Sequence, residues 1–242
     1  MILRMSTIVY PPDTTIVQSS AIGPQIHQIL RQQIIRGQFL PGTRLSESEC
    51  AATFSVSRQP VREAFIKLSE EGLVEVRPQR GTLVRRISEE AVLEARFVRE
   101  AIEADVVKRI IALGDTHIVR ELRAQLSRQK EVSADHPAEF LGLDELFHRT
   151  LAEAAGVAHA WKVTEGIKAQ MDRVRYLSFN QMQLPRLITQ HTAIVNAIEH
   201  QDASGADKAI RMHLRQILHD LPEIRAAHPD LFDDSRSSLI PI

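Results

Sequence analysis

The sequence predicts a mostly α-helical protein in two parts, a winged helix-turn-helix followed by an all-α antiparallel helical bundle. Three observations carry that prediction. Short helical segments and then a strand–turn–strand pattern fill residues 25–87, helical periodicity without any alternating strand run fills residues 88–228, and charge divides at the same place. The 242 residues carry 30 Lys+Arg against 31 Asp+Glu, a formal net charge of −1. Residues 25–86 hold nine Arg and Lys67 against six Glu, 10 − 6 = +4; Arg4 and Asp13 cancel within residues 1–24; residues 87–242 therefore carry −1 − 4 = −5. A near-neutral total conceals a basic head on an acidic body, the asymmetry expected of a nucleic-acid-binding part joined to a separate one. Charge alone also permits clustering on solvated faces.

Taken in order, residues 1–24 predict a flexible arm, with Pro11-Pro12, Thr14-Thr15 and Ser19-Ser20 and no periodicity. Ile26, Ile29, Leu30, Ile34 and Ile35 recur at helical spacing, and Gly37 is placed to end that helix. Pro41-Gly42 marks a turn. Ser46 with Glu49 three residues on forms a capping box for a short second helix that closes before Ser55. Ser57 caps a third helix, whose stripe is Val61, Ala64, Phe65 and Leu68 and whose stop is Gly72. Two β-like runs, Leu73 to Arg77 and Thr82 to Arg85, joined by Pro78-Gln79-Arg80-Gly81, predict a hairpin with a basic tip. Beyond Ser88, helices are expected at about 89–113, 116–132, 137–155, 158–179, 185–200 and 203–226, punctuated by Gly114, Gly156 and Gly205 with Pro137 and Pro185. An antiparallel bundle is the natural packing. Residues 229–242 read as a loosely ordered tail.

Composition narrows the function classes. Forty-three per cent hydrophobic and 25% charged residues describe an ordinary globular chain. No apolar run reaches the roughly 18 residues of a membrane span, and the N-terminus lacks a signal peptide's apolar core, so a cytoplasmic location without membrane association is expected. The lone Cys50 excludes an intramolecular disulfide and a thiolate zinc cage.

The second helix of a helix-turn-helix presents its N-terminal residues to base edges in the major groove. Here those are Ser57, Arg58, Gln59 and Arg62. Arg58 and Arg62 are four apart and share a face away from Val61 and Phe65. Arginine suits guanine, glutamine adenine. Arg80 at the hairpin tip suits a minor groove or a phosphate, and Gly81 permits close backbone approach. The competing reading is of solvated arginines, with Arg62 paired to a nearby Glu.

Leu40 to Ile87 contains, in order, Pro-Gly, a short helix, V-S-R-Q-P-V-R-E-A, E-G-L-V and R-G. This resembles the GntR family of bacterial transcription regulators, in particular its FadR-type branch, whose C-terminal helical domain is called FCD. The resemblance covers the whole head and most of the body. It implies base and phosphate contacts at Ser57, Arg58, Arg62, Arg80 and Gly81. Three positions depart from the family pattern, one of them Val157, where the family often has Asn after the Gly, which alters a helix start only. Ser48 stands where the family usually has Arg, which removes an expected DNA contact, and Cys50 stands where it has Leu. Cys50 is most simply a small buried hydrophobe, since a redox pair would need a resolving cysteine.

Of the ten histidines, three stand beside apolar stripes. Asp144 and His148 are i and i+4 on one helix, flanked by Phe147 and Leu151. His191 lies beside Ile194, Ala197 and Ile198, and His213 beside Ile210, Leu214, Ile217 and Leu221. The residues alone leave two readings, convergence on a ligand or core histidines each satisfied by one hydrogen bond. The FCD resemblance implies a divalent-metal site made of Asp144, His148, His191 and His213. Such a donor set suits Zn²⁺ or Ni²⁺ and also accepts Mn²⁺ or Fe²⁺. The resemblance further places Arg99, Arg173 and Arg175 around a ligand cavity, with Tyr176 as another polar candidate; ion pairs with Glu100 or Glu103 are the alternative. The absence of an HExxH or nucleophile motif argues against an enzyme. The expected protein is therefore a homodimeric, ligand-responsive regulator, a repressor of a catabolic or transport operon. It would bind double-stranded DNA at a palindromic operator and sense a small carboxylate anchored by the metal. A regulator for which the ion is itself the signal, and a metal-dependent enzyme, are the alternatives.

Overall fold

The structure, a computed structural model, describes residues 16–77, 81–114, 117–133, 135–179 and 184–234. It divides into two compact units, Met1–Arg85 and Arg86–Ile242.

The first unit contains α1 (Ile22–Ile35), α2 (Glu47–Thr53) and α3 (Arg58–Glu70) with three short strands, β1 (Arg44–Leu45), β2 (Val74–Arg77) and β3 (Gly81–Val84). The apolar spacing decides the packing: Ile26, Leu30 and Ile34 of α1 are buried, as are Val61, Phe65 and Leu68 of α3, and these two helices pack together. α1 begins inside the stretch read as an arm. The Gln25 side chain ties that stretch down, accepting from Val17 N at 2.8 Å and donating to Val17 O at 3.0 Å. The capping box forms, with Ser46 Oγ accepting from Glu49 N at 3.4 Å. Ser57 occupies the N-cap of α3 without a side-chain capping bond.

The antiparallel sheet has the order β1-β3-β2, with Val74 opposite Val84 and Arg77 opposite Gly81. β1 is absent from the sequence expectation because two residues carry no period. It matters at Gly81, where φ is +85° and a Cβ would meet Arg44 Nε at 2.9 Å. The positive φ favours glycine here, while the exposed Arg44 guanidinium lies close against it.

The second unit holds α4 (Glu89–Leu113), α5 (His117–Glu131), α6 (Pro137–Ala154), α7 (Ala158–Ile167), α8 (Ala169–Phe179), α9 (Leu184–Glu199) and α10 (Ala203–Ala227). α10 packs chiefly on α4 and α9, around a core that includes Val107, Ile110, Phe147, Ile194, Ile198 and Ile210. Among the described residues, no helix is long and apolar enough to cross a membrane.

Three expectations for this unit are corrected. The helix expected over 158–179 is two helices, broken at Lys168 two residues after Gly166, a poor helix-interior residue. The buried Lys168 ammonium lies 2.6 Å from Asp172 Oδ2 and 3.6 Å from Glu145 Oε1. Gly205 does not separate helices but lies in the first turn of α10, where its N donates to Asp202 Oδ1 at 2.8 Å; any Cβ there would strike the capping carboxylate at 2.3 Å. The start of the expected tail is docked. Pro229–Leu231 forms a 3-10 turn, Ile87 N donates to Leu231 O at 2.8 Å, and Phe232 is buried beside Ile87. Residues 1–15 of the expected arm and 235–242 of the tail lie outside the described residues.

Candidate functional site

In the first unit, Ser57, Arg58, Gln59 and Arg62 are all exposed at the start of α3. The two arginines share one partner. Glu47, the first residue of α2, accepts from Arg58 Nη2 at 2.9 Å and from Arg62 Nε and Nη2 at 3.2 Å each. The pairing to a nearby Glu that the sequence allowed for Arg62 thus holds for both. The hydrogen bond from Arg62 holds the Glu47 carboxyl below its ordinary range. The arginine side chains remain 63% and 56% exposed, so both guanidiniums are free to exchange this anion for another. Gln59 Nε2 donates to Glu63 Oε1 at 3.1 Å. Gly81 opens β3 against Arg44, an exposed cation that sequence reasoning missed because nothing marked β1 as a strand. Arg80 lies outside the described residues.

In the second unit, α6 supplies Asp144 and His148, α9 supplies His191 and α10 supplies His213. All four are buried, and one donor atom from each lies within 4.8 Å of the others. The Nε2 atoms converge: His148 to His213 is 3.1 Å and His191 to His213 is 3.4 Å. Asp144 Oδ1 lies 3.4 Å from His191 Nε2 and 3.9 Å from His148 Nε2. Phe147 stacks on the His191 ring with centroids 4.3 Å apart.

The opposite ring nitrogens determine what these Nε2 atoms are. His148 Nδ1 lies 2.6 Å from Glu103 Oε2 on α4. His191 Nδ1 faces Gln129 Oε1 at 2.8 Å, and Gln129 Nε2 donates to the Leu143 carbonyl at 3.4 Å, which fixes that amide's orientation. His213 Nδ1 faces Gln190 Oε1 at 3.1 Å; Gln190 Nε2 donates to Gln216 Oε1 at 3.3 Å, and Gln216 Nε2 to Asp220 Oδ1 at 2.9 Å. Each path ends on a group that only accepts, a carboxylate or a carbonyl. For His191 and His213 these amide orientations place the proton on Nδ1 and turn an Nε2 lone pair inward, whereas His148 Nδ1 and Glu103 Oε2, although close, are out of line for a hydrogen bond.

Electrostatics keep the donors in their ligating forms. Burial, reinforced for His213 by His191 and His148, lowers the His191 and His213 imidazoles, for His213 well below the ordinary range. Burial works to raise the Asp144 carboxyl, but Arg175, His191 and His148 outweigh it and hold it well below the usual carboxylate range. Glu103 is likewise opposed by burial and brought down to about 2 by Arg99 and His148. Asp144 Oδ1 lies 2.6 Å from Arg175 Nη2, yet out of line for a hydrogen bond, so this buried oxygen has no aligned partner. The three ring nitrogens and the Asp144 carboxylate oxygen are buried together, and a cation at their focus would satisfy all four at once. The residues present fit a divalent metal.

A small, partly open pocket adjoins this cluster and is lined in part by Arg99, Arg175, His213, Ser178, Gln216 and Asp220. Arg99 Nε donates to Glu103 Oε1 at 2.6 Å, while its buried Nη2 has no hydrogen-bond partner. Glu100, the other carboxylate considered for these arginines, instead takes Arg96, Arg211 and Arg215. Arg173 is buried against Gln170, its pKa drawn down to about 10 by burial, and neither it nor the half-buried Tyr176 is on that wall. Sequence reasoning did not assign Glu103, Gln129 or Gln190 to the cluster, since a partner that orients a histidine from another helix leaves no spacing signal.

Two family models match the chain. Residues 23–84 match the bacterial regulatory proteins of the gntR family, and residues 94–216 match the FCD domain. The HTH-type transcriptional repressor RspR of Escherichia coli (strain K12) is 38% identical over 224 residues, covering 92% of this chain and 98% of that protein. An HTH-type transcriptional regulator in an unstable DNA locus of Streptomyces ambofaciens is 39% identical over 208 residues, 86% of this chain and 88% of that protein. Among solved structures, a transcriptional regulator GntR from Rhodococcus sp. RHA1 superposes with a TM-score of 0.69 at 26% identity, covering 84% of this chain and 99% of that one. The chain belongs to the GntR family, carries an FCD domain, and is a DNA-binding transcription regulator rather than an enzyme.

Proposed function

We propose that this regulator is a homodimeric repressor whose hold on a palindromic operator is set by a small carboxylate, bound in the body beside a divalent metal. The observation that carries this reading is the set of three buried imidazoles whose Nε2 atoms meet at 3.1 and 3.4 Å beside the Asp144 carboxylate. Asp144, His148, His191 and His213 would hold the ion, and nitrogen-rich donors favour Zn²⁺ or Ni²⁺ over Mn²⁺ or Fe²⁺. Bound there, the metal supplies a Lewis-acidic anchor for a carboxylate. Arg175 and the buried Nη2 of Arg99 add guanidinium donors on the same pocket wall. Residues 25–87 serve as the DNA-binding domain, with Ser57, Arg58, Gln59, Arg62, Arg80 and Gly81 on the duplex, and residues 88–228 serve sensing and dimerisation. An effector changes operator affinity only by binding the DNA-competent and incompetent states unequally.

A thermal-shift screen of small carboxylates, run with and without EDTA, tests the reading. Acids that stabilise the metal-loaded protein and not the EDTA-treated one are expected. Equal stabilisation in both conditions overturns the anchor. A second reading, in which the ion itself is the signal, draws on the burial of all four donors. Operator binding that follows added metal at fixed acid concentration identifies that case.

A further inference from the structure

The chain enters the second unit at Arg86, and the docked segment after α10 holds it there. Arg85 N still belongs to the head, donating to Leu73 O at 2.9 Å. Two residues on, Ile87 N donates to Leu231 O at 2.8 Å, and Ile87 O accepts from Asp233 N at 3.0 Å. This parallel bridge sets Phe232 beside Ile87. Both side chains are 1% exposed, in a core that also contains Val92, Met171, Ile217 and Ile224. Arg225 closes the arrangement. Its Nη1 donates to Glu89 Oε2 at the start of α4, its Nη2 donates to Asp233 O at 3.3 Å, and its guanidinium lies 5.9 Å from the centroid of the Phe232 ring. Arg86 alone lies between the tie to the head and the tie to the body. Without Leu231 and Asp233, the next fixed group is the α4 N-cap, where Ser88 Oγ accepts from Ala91 N at 3.3 Å. Release would free the Ile87 backbone as well, and each freed residue adds conformational entropy to the connection.

We propose that residues 229–234 are a strap that narrows the connection between head and body to the single residue Arg86, and thereby positions the two heads of a dimer for the two halves of a palindrome. The inference rests on the homodimer and palindrome of the proposed function and adds the element that sets each head in place. One head makes the same contacts with a half-site whether its connection is held or free. Two heads gain from binding together only when both connections deliver them to the duplex, and a looser connection lowers the effective concentration at the second half-site. The strap acts through main-chain bonds and a buried ring. The Arg86–Asp234 pair, 3.8 Å apart and exposed, adds little.

Three full-length variants test the strap. Asp233→Pro removes the N–H that reaches Ile87 O, and Phe232, with φ −99° and ψ 153°, already has the backbone conformation that a following proline requires. Asp233→Ala loses the same side chain and keeps the N–H. Arg225→Gln removes the guanidinium that joins Glu89 to Asp233 O and leaves the bridge intact. The probes are the palindrome that the wild type selects from a random-sequence duplex library and a duplex carrying one half of it. Asp233→Pro is expected to bind the palindrome about tenfold more weakly, the effect of freeing one residue or two, with half-site affinity within about twofold. Arg225→Gln should lose less in the same direction, and Asp233→Ala nothing. Trypsin should cut after Arg85 and Arg86 faster in Asp233→Pro and Arg225→Gln than in the wild type or Asp233→Ala, because cleavage follows local opening. A proline variant with the wild-type ratio of palindrome to half-site affinity overturns the proposal, as does an alanine variant that falls as far as the proline one. Equal losses on both probes also overturn it, since they report a damaged fold and not a loosened connection. A wild type that binds the palindrome no more tightly than its half removes the homodimer reading and this inference with it.

Discussion

Two places in the molecule hold groups suited to a partner, and they hold them in opposite media. At the start of α3, Glu47 gathers Arg58 and Arg62, both more than half exposed. Water and salt share the work there, and the arrangement costs little with or without DNA. In the body, Asp144, His148, His191 and His213 are at most 5% exposed, with their donor atoms turned toward one another. An exposed binding face can rest in a paired state and exchange partners, whereas a buried cluster of donors depends far more on what fills it. The largest responses to perturbation belong to the buried site.

Metal removal should widen that difference most. Zn²⁺ at about a hundred times its Kd should stabilise the protein by about 2.7 kcal/mol, a rise in Tm of several degrees by differential scanning fluorimetry. His148→Ala and His213→Ala should lose both the shift and the stoichiometric metal measured by elemental analysis. Retention of full stoichiometry in both variants would show that the cluster is not the site.

The next effect comes from the acceptors behind the imidazoles. Glu103→Gln keeps the shape but removes the negative charge 2.6 Å from His148 Nδ1. Such orienting partners are worth roughly 10–100-fold in metal affinity, and a tenfold loss is expected in a chelator competition titration. Affinity equal to wild type would mean that the helix packing alone orients His148.

In the head, Arg58→Ala should cost about 1–3 kcal/mol at the base pair it reads and relax preference there, with thermal stability unchanged. Gel-shift competition between an operator and single-base variants of it measures this. Unaltered affinity and preference would remove Arg58 from the base-reading set.

The same contrast governs how much was legible in the sequence. The bounds of α4, read as 89–113, match Glu89–Leu113, with Ser88 capping its start and Gly114 in the left-handed conformation ending it, although its buried face includes Arg96, Arg99, Glu100 and Glu103 and is not an apolar stripe. Periodicity failed at Lys168, where a buried ammonium and two carboxylates, and not the apolar stripe, accompany the break. It also failed at β1, whose two residues carry no period. The exposed arginines were visible because they lie four residues apart on one helix face, away from its apolar stripe. The buried site was visible only as three inward histidines and one carboxylate, and family resemblance was needed to join them. Its orienting shell of Glu103, Gln129 and Gln190 stayed hidden because it depends on distances between α4, α5, α6, α9 and α10.

The smallest effect is expected at Glu47, and it sharpens the comparison from the exposed side. Glu47→Gln removes the anion that Arg58 and Arg62 share while retaining an acceptor oxygen. An ion pair this exposed contributes little to folding, so Tm should stay within error of wild type. DNA binding should change in two directions at once. Loss of a negative charge beside two phosphate- or base-seeking guanidiniums raises affinity for any duplex by a few-fold. Loss of the anion that holds both side chains over one face reduces the ratio of operator to non-specific affinity. Titration of operator and random-sequence duplexes at two salt concentrations reads both quantities. If the variant instead lowers Tm while leaving the ratio intact, Glu47 is a structural tie between α2 and α3, and the exposed site is held in its resting state no less firmly than the buried one.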